Sequence, residues 1–108
     1  MKVIVAGGRK YELTSKDLQK LYSLPISEVV SGCASGVDRC GEEYARMNNL
    51  KISRFPANWK DYGPSAGPRR NKQMAEYADA VALFPGGRGT ESMHKEAMKA
   101  GIKIFDFR

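Results

Sequence analysis

Three short segments hold most of the residues through which this chain could do chemistry. They are Gly7-Gly8-Arg9, Gly32-Cys33-Ala34-Ser35-Gly36 and Gly86-Gly87-Arg88-Gly89-Thr90. Glycines at such points let backbone N–H groups come close to an anion, and arginines beside them add charge. Each segment follows an apolar run and precedes a helix-like pattern. In the second and third, the positive end of the following helix would therefore reinforce the same anion site. The chemistry indicated is the cradling of a phosphate.

The known phosphate signatures do not fit. There is no GxxxxGKS/T, which argues against a Walker-type ATPase. Gly87 and Gly89 supply a GxG, but Ser92 stands at the third glycine's place, and the motif falls after the fourth strand rather than the first. An ordinary dinucleotide fingerprint is excluded, and no cofactor is indicated.

The segments need elements to position them, and these alternate along the chain. Strands are expected at 2–6, 28–31, 51–55, 80–84 and 102–107. The first helix has Thr14 as N-cap, Asp17 at the third helical position, Leu13 and Leu18 as a hydrophobic staple, and Pro25 beyond its end. A second helix carries Val37, Cys40, Tyr44 and Met47 on one face and stops at Asn48-Asn49. A third runs from near Pro68 to Ala78, and the last from Thr90 to Ala100 with Gly101 as C-cap. Between 56 and 68, PANWKDYGPSAGP reads as a long irregular loop or lid.

Five strands joined by four helices define an α/β fold, a Rossmann-like three-layer sandwich around a five-stranded parallel sheet. The runs at 2–6, 28–31 and 80–84 are nearly all apolar, as central strands should be. Those at 51–55 and 102–107 carry Lys51, Arg54, Lys103 and Asp106, as edges do. The order 3-2-1-4-5 follows, and it gathers all three glycine segments at the carboxyl edge, around the switch between strands 1 and 4.

With 108 residues the chain makes one domain. No apolar run approaches the roughly 18 residues of a membrane span, so no membrane association is expected. Lys2–Ala6 is too short for a signal-peptide core, and Cys33 and Cys40 match no metal or redox spacing. A cytoplasmic protein with reduced thiols is expected. The net charge, 18 − 12 = +6, is dispersed. It suits a small phosphate-bearing ligand as well as it suits nucleic acid, which is the less favoured partner.

Four ordered stretches then become recognisable: VIVAGGR at 3–9, VSGCASGVDRCGEEYA at 30–45, FPANWKDYGPSAGPRRNKQMAEYADA at 55–80 and FPGGRGT at 84–90. Together they resemble a SLOG-superfamily domain, in particular a small family of bacterial and phage proteins. The superfamily includes the LOG cytokinin-activating phosphoribohydrolases and the DNA-processing protein DprA. The resemblance implies a Rossmann-like fold that holds a nucleotide or nucleotide-derived ligand of phosphoribosyl or ADP-ribose type. It also implies a homodimer or higher homo-oligomer, by analogy with LOG dimers.

RNKQM here resembles the LOG RKxxM segment, which carries the functional arginine onto Arg70. PGGRGTESM resembles PGGxGTxxE, so Gly86, Gly87, Gly89 and Thr90 are implied phosphate-binding elements. Met93 occupies the place of the acid that ends that motif, and Glu91 lies about 200° away around the helix. A phosphoribohydrolase would need Asp38, Glu42 or Glu91 as a displaced acid beside Arg70.

Several residues keep two readings. Asp38 is either the N3 partner of Ser35 or a carboxylate for a ribose hydroxyl or a proton. Asn71 either bonds the ligand or caps a neighbouring loop. Trp59 and Tyr62 either stack on a base or anchor the lid to the core. Cys33 is read as a small packing residue and His94 as a surface histidine, and no metal site is expected.

Overall fold

The structure is a computed structural model describing residues 1–108. Its five strands are β1 (Lys2–Ala6), β2 (Glu28–Ser31), β3 (Lys51–Arg54), β4 (Ala80–Leu83) and β5 (Lys103–Asp106). All pair parallel in the order β3-β2-β1-β4-β5. The helices are α1 (Ser15–Tyr22), α2 (Val37–Met47), α3 (Trp59–Tyr62), α4 (Ala66–Tyr77) and α5 (Arg88–Ala100).

Alternation along β1 sorts the core into two layers, because successive side chains of a strand face opposite sides. Val3 and Val5 pack with Leu21, Val37, Tyr44 and Phe84 under α1 and α2. Ile4 and Ala6 pack with Val30, Met74, Met93 and Ala97 under α4 and α5. Every residue of β2 and β4 is buried, whereas the end residues of β3 and β5 are exposed. The charged ends of the outer strands sit in water because these strands have a neighbour on one side only.

The N-terminus of α1 is a reciprocal capping box. Thr14 Oγ1 accepts from the Asp17 N–H at 3.2 Å, and Asp17 Oδ2 accepts from the Thr14 N–H at 3.0 Å. Such a cap contributes about 1 kcal/mol by satisfying otherwise orphaned N–H groups.

The 56–68 segment is more ordered than its composition suggests. Asn58 caps α3 by accepting from the Asp61 N–H at 3.2 Å. A 3-10 turn, Gly63–Ser65, then leads directly into α4. This helix begins two residues before Pro68, since a proline in the first turn sacrifices only an N–H that has no intrahelical acceptor. Likewise α5 begins at Arg88 rather than Thr90, with Gly87 at its N-cap. No helix is long and apolar enough to cross a membrane.

Candidate ligand cleft at the carboxyl edge of the sheet

The loops after β1, β2 and β4 meet at the carboxyl edge of the sheet and enclose a cleft of about 740 Å³. Its floor is apolar, formed by the ends of β1 with Met74 and Met93, and its rim carries Arg9, Arg70 and Arg88. The loops are tied to one another through the backbone. The Gly8 N–H donates to Pro85 O at 2.8 Å, and the Val37 N–H donates to Gly8 O at 3.1 Å. Gly36 has φ +73° and lies against Gly8 and Arg9, so a side chain there would meet both strain and backbone.

At the third loop the chain packs equally tightly. A Cβ on Gly86 would stand 2.6 Å from the Gly8 nitrogen and would run into Thr90 Oγ1. Thr90 is 4 % exposed, lines the cleft, and its hydroxyl has no hydrogen-bond partner in the protein. No side chain caps the N-terminus of α5, which opens onto the same space. A buried, unpartnered hydroxyl beside uncapped helix N–H groups is a donor set suited to an anion.

Asp38 and Arg70 face each other across Gly32. A Cβ on Gly32 would lie 2.8 Å from Asp38 Oδ2 and 2.6 Å from an Arg70 terminal nitrogen. Burial pushes the Asp38 carboxyl above its ordinary range, against the pull of the Ala34 N–H and of Arg70. Burial likewise lowers Arg70, with Asp38 opposing. Arg70 donates to Gly32 O and, from Nε, to Asn71 Oδ1 at 2.9 Å. Asn71 donates onward to Ser92 Oγ at 3.1 Å and to Gly89 O at 3.4 Å. Arg70 and Asn71 together thus join the β2 loop to the N-terminal part of α5.

The reading of Asp38 as the N3 partner of Ser35 does not hold. The N-cap of α2 is Gly36, without a side-chain cap. Asp38 accepts from the Ala34 N–H at 3.2 Å, while Ser35 Oγ turns to Arg9 O at 3.3 Å. Asp38 is therefore not the capping partner of Ser35, because Ser35 lies one residue outside the cap and points the other way.

Two other carboxylates lie outside the cleft lining. Glu91 is exposed and pairs with Arg108, since its position on α5 faces β5 rather than the loops. Glu42 accepts from Ser31 Oγ at 2.6 Å and from Arg54 Nε at 3.0 Å. Burial would raise its pKa, but these bonds and the charges of Arg54 and Arg46 hold it below the usual carboxylate range.

The two lid aromatics also part company. Trp59 borders a smaller cavity beside Arg9 and Arg70, whereas Tyr62 lies under the Arg69 guanidinium, 4.3 Å from its ring centroid, and lines neither space. His94 sits beside Arg108, 3.5 Å from it, away from the loops. Cys33 is exposed at φ +65°, and burial of its sulfur raises the thiol's pKa. Lys10 and Tyr11 also line the cleft, though no pattern in the chain marks them. Tyr11 is held by its hydroxyl, which donates to Asp17 Oδ2 at 2.6 Å.

A five-stranded parallel sheet in the order β3-β2-β1-β4-β5, with a polar-rimmed, apolar-floored cleft at its switch point, defines a Rossmann-like α/β architecture. The model of the YspA, cpYpsA-related SLOG family (YAcAr) matches residues 1–62, and the chain belongs to that family. Among solved structures it is similar to DNA processing protein A (DprA) from Streptococcus pneumoniae, with a TM-score of 0.75 and 19% sequence identity. That match covers 97% of this chain and 49% of the DprA chain, so the likeness is one of fold. No curated protein matches the chain.

Proposed function

We propose that this protein binds a nucleotide or nucleotide-derived ligand in the cleft at the carboxyl edge of its sheet. SLOG domains generally bind such ligands. The observation that carries the reading is the Thr90 hydroxyl, buried and without a partner beside the open N-terminus of α5. A native fold keeps very few such groups, and a phosphate oxygen would satisfy this one. Arg88 and the glycines at 86, 87 and 89 complete the cradle, with Gly7, Gly8 and Arg9 opposite and Arg70 with Asn71 at the side.

Thermal-shift and calorimetric titrations with ribose 5-phosphate, AMP and adenosine test this. The phosphorylated compounds should raise the melting midpoint and adenosine should not. A phosphate compound at 100 times its Kd stabilises by about 2.7 kcal/mol, roughly 10 °C or more in a domain of this size. Equal shifts with adenosine, or none with either phosphate, would remove the basis for the reading.

Asp38 favours a second reading, hydrolysis of an N-glycosidic bond in the bound nucleotide. It is a buried carboxyl lining the cleft, with its pKa raised by that burial. Such a group can hold a proton for a departing base. Under this reading Asp38→Asn abolishes release of free base while the nucleotide still binds. If no base is released by the unaltered chain, binding alone remains. A single-strand DNA binder is set apart by salt: affinity for an oligonucleotide would fall steeply from about 50 to 200 mM.

A further inference from the structure

Asn71 shares with Thr90 the deepest burial of any polar side chain at the cleft, at 4 % exposed. Unlike Thr90, it is fully engaged. Its Oδ1 accepts from Arg70 Nε at 2.9 Å, and its Nδ2 donates to Ser92 Oγ at 3.1 Å and to Gly89 O at 3.4 Å. The amide cannot be turned round, because an arginine Nε can only donate and a backbone carbonyl can only accept. Both amide hydrogens are therefore committed to α5, and Nδ2 has none left for a ligand.

These bonds tie together elements that do not otherwise share a side chain. Arg70 and Asn71 are consecutive on α4, so their side chains leave the helix about 100° apart. Asn71 faces α5, as Met74 does one turn on, where it packs in the layer that holds Met93 and Ala97. Arg70 reaches the β2 loop, where it donates to Gly32 O, and its Nε turns back to the amide. The guanidinium is thus fixed on one side by the β2 loop and on the other by an amide that α5 holds. Both partners are neutral, and Arg70 enters no ion pair. Its charge is left for the cleft, with three of a guanidinium's five N–H donors uncommitted.

Resting on the phosphate site proposed above, we infer that Asn71 is a positioning residue that aligns Arg70 with the N-terminal part of α5. A phosphate held at Thr90 then meets a guanidinium whose direction is already set. Asn71 acts on the ligand only through Arg70. The coupling is reciprocal: an anion that steadies the start of α5 steadies Arg70 through the same amide.

A double-mutant cycle with ribose 5-phosphate, read by titration calorimetry, tests this. Arg70→Gln should weaken binding by about 10- to 100-fold, since it removes a charged donor. Asn71→Ala should weaken it by about 10-fold, and the double variant should be no weaker than Arg70→Gln within about twofold. Ser92→Ala, at a half-buried position, removes one of the two anchors on α5. It should weaken binding by about 2- to 5-fold where Arg70 is present and have no effect in Arg70→Gln. It keeps the cycle usable if circular dichroism shows Asn71→Ala unfolded.

A readout without ligand comes from the arginine Nε–Hε resonances in ¹H–¹⁵N spectra, with Arg70 assigned by its absence in Arg70→Gln. Its Hε should exchange slowly with solvent in the unaltered chain and at least 10-fold faster in Asn71→Ala. Losses that multiply in the double variant would show that Asn71 contacts the ligand itself, and would overturn the inference. Full affinity in Asn71→Ala, or an Hε exchange rate that the substitution does not change, would overturn it too. If ribose 5-phosphate does not bind the unaltered chain, the phosphate reading falls, and the exchange rates alone decide whether Asn71 positions Arg70.

Discussion

Replacing Thr90 by valine separates what the hydroxyl does for the fold from what it does for a ligand. The side chain is buried, and Oγ1 has no partner in the protein. A buried polar group left unpaired costs about 1–3 kcal/mol, and an apolar group of the same shape removes that cost. Both residues are β-branched, so the helical backbone is little affected. Gly86 lies close against the oxygen, and the new methyl must fit there. The gain therefore falls near the low end, about 1 kcal/mol. For a domain of this size that raises the melting midpoint by about 4–8 °C.

The ligand should respond in the opposite sense. A hydrogen bond from Thr90 to a phosphate is charge-assisted and contributes about 1.5–3 kcal/mol, so Thr90→Val should weaken ribose 5-phosphate by about 10- to 100-fold. Differential scanning calorimetry of the free protein and titration calorimetry with ribose 5-phosphate give the two numbers. A free protein that melts lower than the original would show that the hydroxyl serves the fold. Undiminished affinity would show that it does not face the ligand. Either result refutes the reasoning.

Gly86→Ala places a Cβ 2.6 Å from the Gly8 nitrogen, against backbone that cannot swing aside. It should cost about 1–3 kcal/mol in thermal unfolding and abolish phosphate binding, because the bond from the Gly8 N–H to Pro85 O must shift. Glu91→Gln should leave ligand affinity within twofold by calorimetry, since Glu91 is spent on Arg108 outside the cleft. The depressed pKa of Glu42 means that its contribution to stability is complete above the unfolded carboxylate value, about 4.3, and is lost as pH falls through the folded value. Melts of Glu42→Gln should therefore lie below those of the original at pH 7 and converge with them toward pH 3.

The strands were legible because parallel strands buried on both faces must be apolar throughout, and Val3-Ile4-Val5-Ala6 and Ala80-Val81-Ala82-Leu83 satisfy that by composition alone. The charged residues of β3 and β5 marked the edges for the same reason, and the sheet order followed. Thr14 and Asp17 were readable as a capping box because both partners lie within one turn.

What depends on side-chain packing rather than on a periodic pattern was not readable. Order in the 56–68 segment comes partly from Asn58, a local cap, and partly from Trp59 resting on Gly67. Helical spacing set Glu91 apart from Met93, but only the course of β5 and the position of Arg108 explain where that carboxylate is spent. Only the folded β2 loop shows that Ala34, rather than Ser35, is the residue bonded to the Asp38 carboxylate.

By itself, then, the amino-acid order determines the layers, the strand order and the edge at which the glycine loops meet, because periodicity and burial act through near neighbours. Tertiary structure alone decides that Thr90 is sealed without a partner, that Asp38 and Arg70 flank Gly32, and that Trp59 rather than Tyr62 borders a cavity beside Arg9 and Arg70. Those properties arise where separate loops and helices exclude water from one another, and no local pattern encodes that exclusion.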